Sequence, residues 1–308
     1  MQFSVYLPLL SSGLFGIVAP VIARRLPPAI ATWLLSAGGL VAAAGSAASL
    51  ALLGLTLIGQ SPLLADTGHW SDAALQRTDP VSAPVAVAAT VALLVLTGRI
   101  TVTGGQRLRA VRAASRLAAA LPACGGELAV IDDPGQHAYA IPGKPGRIVV
   151  SSGLLRSLDA SERRAVLAHE RAHLIHRHHL HQTVAHLAAA ANPLLARLTP
   201  AVALATERWA DEDAAATVRR DTVATALTRA VTGAARLPAA PAVVLSAGAG
   251  DIAARVRALR EPAPRLTIWR VAVLLMLLAA TAVAVSEAAH DTRRVFELAE
   301  YAYSIGRR

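Results

Sequence analysis

The chain has 308 residues, 54% hydrophobic and only 16% charged, with a mean hydropathy of +0.47, too apolar for a soluble globule and indicative of membrane spans. A net charge of +10 raises nucleic acid as a partner, but aromatic residues make up 4% and the arginines are scattered. Neither stacking platforms nor a basic recognition helix are present, so no nucleic-acid partner is expected.

Four apolar segments are long enough to be expected to cross a bilayer. The first runs from about Phe3 to Ala23, and no basic residue precedes it as in a cleaved leader. The second lies within Ala29–Gly59, and the third runs from about Val81 to Gly98, ended by Arg99. The fourth, Val271–Val285, reaches spanning length once Leu266–Arg270 and Ser286 are added. A basic RRLPP turn joins the first two, and Arg99, Arg107, Arg109, Arg112 and Arg116 follow the third. The loop between the second and third carries Asp66, Asp72 and Asp79 against Arg77 alone.

Basic residues favour the cytoplasmic side. The expected organisation is therefore residues 1–98 as three transmembrane helices with an external loop near 60–80, and 99–265 as a cytoplasmic domain. Residues 266–287 form a fourth transmembrane helix and 288–308 a short external tail, although Arg293, Arg294, Arg307 and Arg308 weigh against that last placement. The spans as drawn contain essentially no ionisable residue, which argues against a transporter. Cys124 is the only cysteine, so neither an intrachain disulfide nor a cysteine-based zinc site can form.

Within the cytoplasmic block, Gln106–Leu121 reads as a membrane-proximal helix and ELAVIDD as a short strand. HAYAIPGKPGRIVVSSGLL is a hairpin signal around Pro-Gly-Lys-Pro-Gly, with Arg147–Ser151 as a strand. Asp159 followed by Glu162 three residues on opens a helix, and no proline intervenes before Pro193. The stretch LAHERAHLIHRHHLHQ (Leu167–Gln182) is therefore expected in the middle of one continuous helix.

On that helix His173 lies about 40° around from His169, one turn along, so both imidazoles can meet one cation. Glu170 leans to one side of that cation and can reach a water, which is the H-E-x-x-H arrangement. His178, His179 and His181 point elsewhere and are expected at solvent or lipid headgroups. His176, seven residues from His169, returns to nearly the same direction and stays open as a spare ligand or outer partner. A helix rich in surface histidines that merely buffers or senses metal is the alternative. Catalytic zinc takes three protein ligands and one open position. Downstream, ATERWADEDAAATV sets Glu207 and Asp211 four apart on one helical face. If Glu207 is the third ligand, Asp211 can accept a ring N–H from a ligating histidine. Glu212 and Asp213 are expected to form a solvated acidic face.

The stretch from His137 through HERAHLIHRH resembles the core of integral-membrane zinc peptidases that include the CAAX prenyl protease and the bacterial heat-shock membrane protease. His137 stands where that group has asparagine. NPLL at Asn192–Leu195 and then ERWADEDAA resemble more closely the peptidase domain of the beta-lactam-sensing antirepressor receptors. The resemblance covers roughly Glu127–Val218. It implies a mainly α membrane protein carrying a cytoplasmic α+β zincin-like (gluzincin) domain with a small sheet. By the same resemblance His169, His173 and Glu207 hold one Zn2+, Glu170 is the general base, and Asp211 supports a ligand from behind.

The expected activity is a membrane-embedded zinc endopeptidase acting on a protein or peptide substrate, a transcriptional repressor among the possibilities. Substrate is expected to add a strand beside Arg147–Ser151, with Tyr139, Arg147 and Val149 as the substrate-edge residues. Tyr139 and Arg220 are considered for stabilising an oxyanion, and each is expected first of all to be structural.

Overall fold

The computed structural model describes residues 4–78, 81–121, 126–234 and 249–306, so Phe3, Asp79, Cys124, Arg307 and Arg308 lie outside the described residues. Helix α1 (Leu7–Ala23) is followed by α2 (Pro28–Gly59), which starts on a proline that needs no N–H in the first turn. Two short helices, α3 (Pro62–Gly68) and α4 (Asp72–Thr78), precede the long α5 (Ala83–Ala120). Strands β1 (Leu128–Ile131), β2 (Ala138–Ile141) and β3 (Arg147–Ser151) come next. Then follow α6 (Ser152–Ser157), α7 (Ala160–Ile175), α8 (His178–Ala191), a 3-10 turn at Pro193–Leu195 and α9 (Leu198–Ala215). The last three helices are α10 (Arg220–Ala234), α11 (Ala249–Arg260) and α12 (Ile268–Gly306).

The architecture is mainly helical, with a three-stranded sheet and three helices, α2, α5 and α12, long and apolar enough to cross a membrane. The other expected span, α1, has 17 residues. At 1.5 Å per residue it covers about 26 Å, slightly less than a hydrocarbon core. The expected boundary at Arg99 falls inside α5, and the one at residue 288 falls inside α12. The acidic loop and the end of α12 pack together. Ser71 N–H donates to the Ala299 carbonyl at 3.0 Å, and the Trp70 ring meets Phe296 edge-on.

The block after α5 is not packed apart from the apolar helices. One continuous core joins Phe15 and Ala19 of α1, Leu35 and Ala42 of α2, Ala185 and Ala188 of α8, Leu198 and Val202 of α9, and Leu274 of α12. The turn between α8 and α9 enters between α1 and α2. A Cβ on Gly16 would sit 2.3 Å from the Leu194 carbonyl oxygen, so only glycine allows that approach. Asn192 Nδ2 donates to Ser12 Oγ (3.0 Å) and Ser46 Oγ (2.9 Å), while its Oδ1 accepts from Leu194 N–H (3.0 Å).

The strand order is β1-β3-β2. Strand β3 is thus central, parallel to β1 and antiparallel to β2, which corrects its expected role as a free edge. The hairpin around PGKPG covers one side of β3, and β1 covers the other. The odd-numbered residues Tyr139, Arg147 and Val149 share the face toward α5. Val149 is fully buried there with Ala114 and Ala118, and Arg147 donates to the Ala118 carbonyl at 3.2 Å. Ile148 and Val150 face the opposite way, onto Leu167 and Leu174 of α7.

The expected continuous helix is also corrected. It opens on the anticipated box: Asp159 Oδ1 accepts from the backbone N–H of Glu162 (2.9 Å), and Glu162 Oε2 accepts from that of Asp159 (3.0 Å). It breaks at Arg177, whose φ of 49° and ψ of 45° are left-handed, and α8 starts anew at His178.

Candidate metal centre

Helix α7 presents His169 and His173 one turn apart, and α9 runs across it with Glu207 and Asp211 one turn apart. The Nε2 atoms of His169 and His173 lie 3.1 Å from each other. Glu207 Oε2 is 3.5 Å from His169 Nε2, and its Oε1 is 3.6 Å from His173 Nε2. One donor atom from each of the three residues lies within 4.8 Å of the others, a group that could hold a metal ion. Behind it, Asp211 Oδ1 is 3.0 Å from His169 Nδ1. That contact fixes the proton of His169 on Nδ1 and leaves Nε2 free to bind.

Arg255 of α11, which the sequence reading missed, closes the back of the site. Its Nη1 lies 2.7 Å from Glu207 Oε2, and its Nε and Nη2 donate to the two oxygens of Asp211 at 2.8 and 2.7 Å. Arg255 as a whole is 2% exposed. Arg255 offsets one of the two carboxylates, and a cation that displaces the His169 Nε2 proton would offset the other. Burial alone would raise Glu207 and Asp211, but Arg255 and the histidines reverse this and hold both below the usual carboxylate range. Burial works against a charged His169 as well, yet Asp211 and Glu207 raise it well above the ordinary imidazole value. His173, with no carboxylate on its other nitrogen, is lowered by burial.

Glu170 is pushed up to about 7 by burial, with Glu207's charge adding to the effect and His169 and Arg255 opposing it. A carboxyl titrating near neutrality is matched to taking and returning a proton. The backbone of β2 meets it from the other side. Because Ser151 N–H donates to His137 O, the paired residues of the ladder are His137, Tyr139 and Ile141, and Ala138 and Ala140 turn their backbone groups outward. The Ala140 amide is among the groups that hold Glu170 down. The edge strand beside the site is therefore β2, while the side chains of Tyr139, Arg147 and Val149 point to the other face of the sheet.

Two further expectations are corrected, and Arg220 takes the structural role expected of it. His178 is fully buried and His181 is 8% exposed, so neither is at solvent. His181 Nδ1 lies 2.9 Å from Ser36 Oγ of α2, and its ring packs edge-on against Trp33. Asp213 is 2.7 Å from His176 Nε2, and His176 stacks on Trp209, so His176 is drawn off the ligand cluster. Arg220 makes a two-pronged pair with Glu212 and donates to the Ala258 and Leu259 carbonyls, which explains it as a tie between α9, α10 and α11.

Neither a curated protein nor a solved structure matches the chain. Residues 106–247, just under half of the chain, match the family model of peptidase family M48, and this match supports a metallopeptidase domain of that family around the His169–His173–Glu207 cluster.

Proposed function

We propose that the chain is a membrane-embedded zinc endopeptidase in which His169, His173 and Glu207 hold one Zn2+ and Glu170 handles the proton. The observation that carries this reading is the convergence of two imidazole Nε2 atoms and one carboxylate, from two separate helices, on a common centre. Two nitrogens and one carboxylate oxygen are a donor set suited to catalytic zinc. Zinc held there supplies a Lewis acid for the scissile carbonyl and makes a nearby water more acidic. Glu170 Oε takes the proton of the attacking water and delivers it to the leaving amine. Asp211 keeps His169 in the Nδ1–H form, and Arg255 keeps both α9 carboxylates ionised and in place.

An extended peptide is best accommodated on the outer edge of β2, where the Ala138 and Ala140 backbone groups face outward next to Glu170. The charge distribution around the spans favours the cytoplasmic side of a multi-pass protein for the site. The substrate is then a cytoplasmic protein, a cytoplasmic segment of a membrane protein, or the chain itself. Two purposes compete: regulatory cleavage of a repressor, to which the resemblance of the NPLL turn and the ERWADEDAA segment to the antirepressor receptors points, and disposal of damaged membrane proteins.

The purified full-length chain is expected to carry one tightly held zinc. Glu207→Ala should lose it, and Glu170→Gln should keep it while cleavage of a peptide library falls about 10²–10⁴-fold. Several weakly held ions indifferent to Glu207→Ala would support the metal-buffering reading in its place.

A further inference from the structure

His178 lies outside the cluster that faces the ion, yet its Nδ1 is 2.7 Å from Nδ1 of His173. The His173 nitrogen on the other side of the ring, Nε2, faces His169 and Glu207. On an unbroken helix His178 would stand about 140° around from His173 and could not reach it. The left-handed residue Arg177 is what turns the chain back, so that His178, the first residue of α8, folds under the ring of His173. A non-glycine residue in that conformation is uncommon and needs surrounding structure to hold it. The rings of His173 and His178 meet edge to face at 4.8 Å, and Trp209 and His176 pack on His178 from the far side.

The geometry points to His178 as the positioning residue of the ligand His173, doing with a neutral imidazole what Asp211 does for His169 with a carboxylate. This rests on the reading of His173 as a metal ligand. When His173 Nε2 ligates, its proton resides on Nδ1 and needs an acceptor. Nδ1 of His178 provides it only if the proton of His178 sits on Nε2. Two protonated Nδ1 atoms could not stand 2.7 Å apart. That Nε2 is one of two buried side-chain atoms, with Ser49 Oγ, for which no hydrogen-bond partner is found among the described residues. Packing against Trp209 and His176 rather than a second hydrogen bond holds the far side of the His178 ring.

The two supports differ in consequence. A carboxylate acceptor raises the basicity of its ligand strongly, and a neutral imidazole does so weakly. The site thus pairs one electron-rich ligand, His169, with one less basic ligand, His173, held chiefly in orientation.

The test compares His178→Asn with His178→Leu in the full-length protein, reading the zinc dissociation constant by chelator competition alongside kcat and KM. Asparagine places Oδ1 where Nδ1 stands and keeps an acceptor, while leucine has nearly the same volume and keeps none. The Leu variant is expected to bind zinc about 10–100-fold more weakly, and the Asn variant to stay within about threefold of the parent. Thermal unfolding of both variants after zinc removal separates a folding defect, which would affect them alike. Equal zinc affinity in parent, Asn and Leu forms, or an equal loss in both variants, overturns the assignment. If the parent itself holds no tight zinc, the zinc reading has failed, and that result is seen before any variant is made.

Discussion

The two ends of the α8–α9 hairpin bury polar groups by opposite means. At the end bearing the metal cluster, Glu207 and Asp211 are ionised, nearly inaccessible, and neutralised by Arg255 and the histidines. At the other end, where the turn sits between α1 and α2, Asn192 is equally buried but meets only the hydroxyls of Ser12 and Ser46 and the Leu194 amide. Around Asn192 the chain uses neutral donors and acceptors that satisfy one another. At the site it retains charges, which cost more to bury and require a counter-ion in contact. The same pair of helices can therefore carry a reactive centre at one end and be anchored among apolar helices at the other.

The most severe way to break this contrast is to remove the counter-ion. Arg255→Met fills the space but leaves Glu207 and Asp211 facing each other without their guanidinium, and breaking a buried ion network this way costs about 3–5 kcal/mol. Thermal or denaturant unfolding of the zinc-free protein should register that loss. A zinc-loaded sample should lose less, because the cation takes over part of the neutralisation of Glu207. Equal destabilisation with and without zinc would mean that Arg255 serves the fold alone.

How much of this was readable in the residues follows the same divide. The i, i+4 spacings of His169–His173 and Glu207–Asp211 fix which side chains share a helical face, and the box at Asp159 and Glu162 fixes where α7 starts. Those are local rules, and they carried the cluster and the mainly helical class. Arg255 was not legible because it is one of three arginines in AARVRALR, and only the packing of α11 on α9 distinguishes it from Arg257 and Arg260. The fate of His178 and His181 was misjudged because no proline or glycine marks the break at Arg177, so a period that fails after His176 was carried past it. The sheet was misjudged for a related reason. Hairpin signals identify neighbouring strands, but they do not reveal that β1 returns to occupy the far side of β3.

A milder change sharpens the comparison at the site end. Asp211→Asn keeps an oxygen to accept the His169 Nδ1–H while removing one of the two charges paired with Arg255. Supporting groups of this kind affect metal affinity by about 10–100-fold. Because the hydrogen bond survives, the expected weakening is near the lower bound, about tenfold in a chelator competition. A loss beyond a hundredfold would show that the charge of Asp211, rather than its acceptor, is what the ligand needs.

The smallest effect is expected at the neutral end. Asn192→Leu removes the amide, but Ser12 and Ser46 keep partners: Ser12 Oγ donates to the Leu9 carbonyl at 2.9 Å, and the single proton of Ser46 Oγ has Ser12 Oγ at 2.8 Å and the Ala42 carbonyl at 3.0 Å as alternative acceptors. Only the Leu194 N–H loses its acceptor outright. One unsatisfied group set against added apolar burial amounts to about 1 kcal/mol of destabilisation. Zinc affinity should not change, since the turn touches none of the ligands. A variant that unfolds as readily as Arg255→Met would show instead that the amide is the element that seats the hairpin, and that the apolar core shared by α1, α2, α8 and α9 is insufficient to hold it.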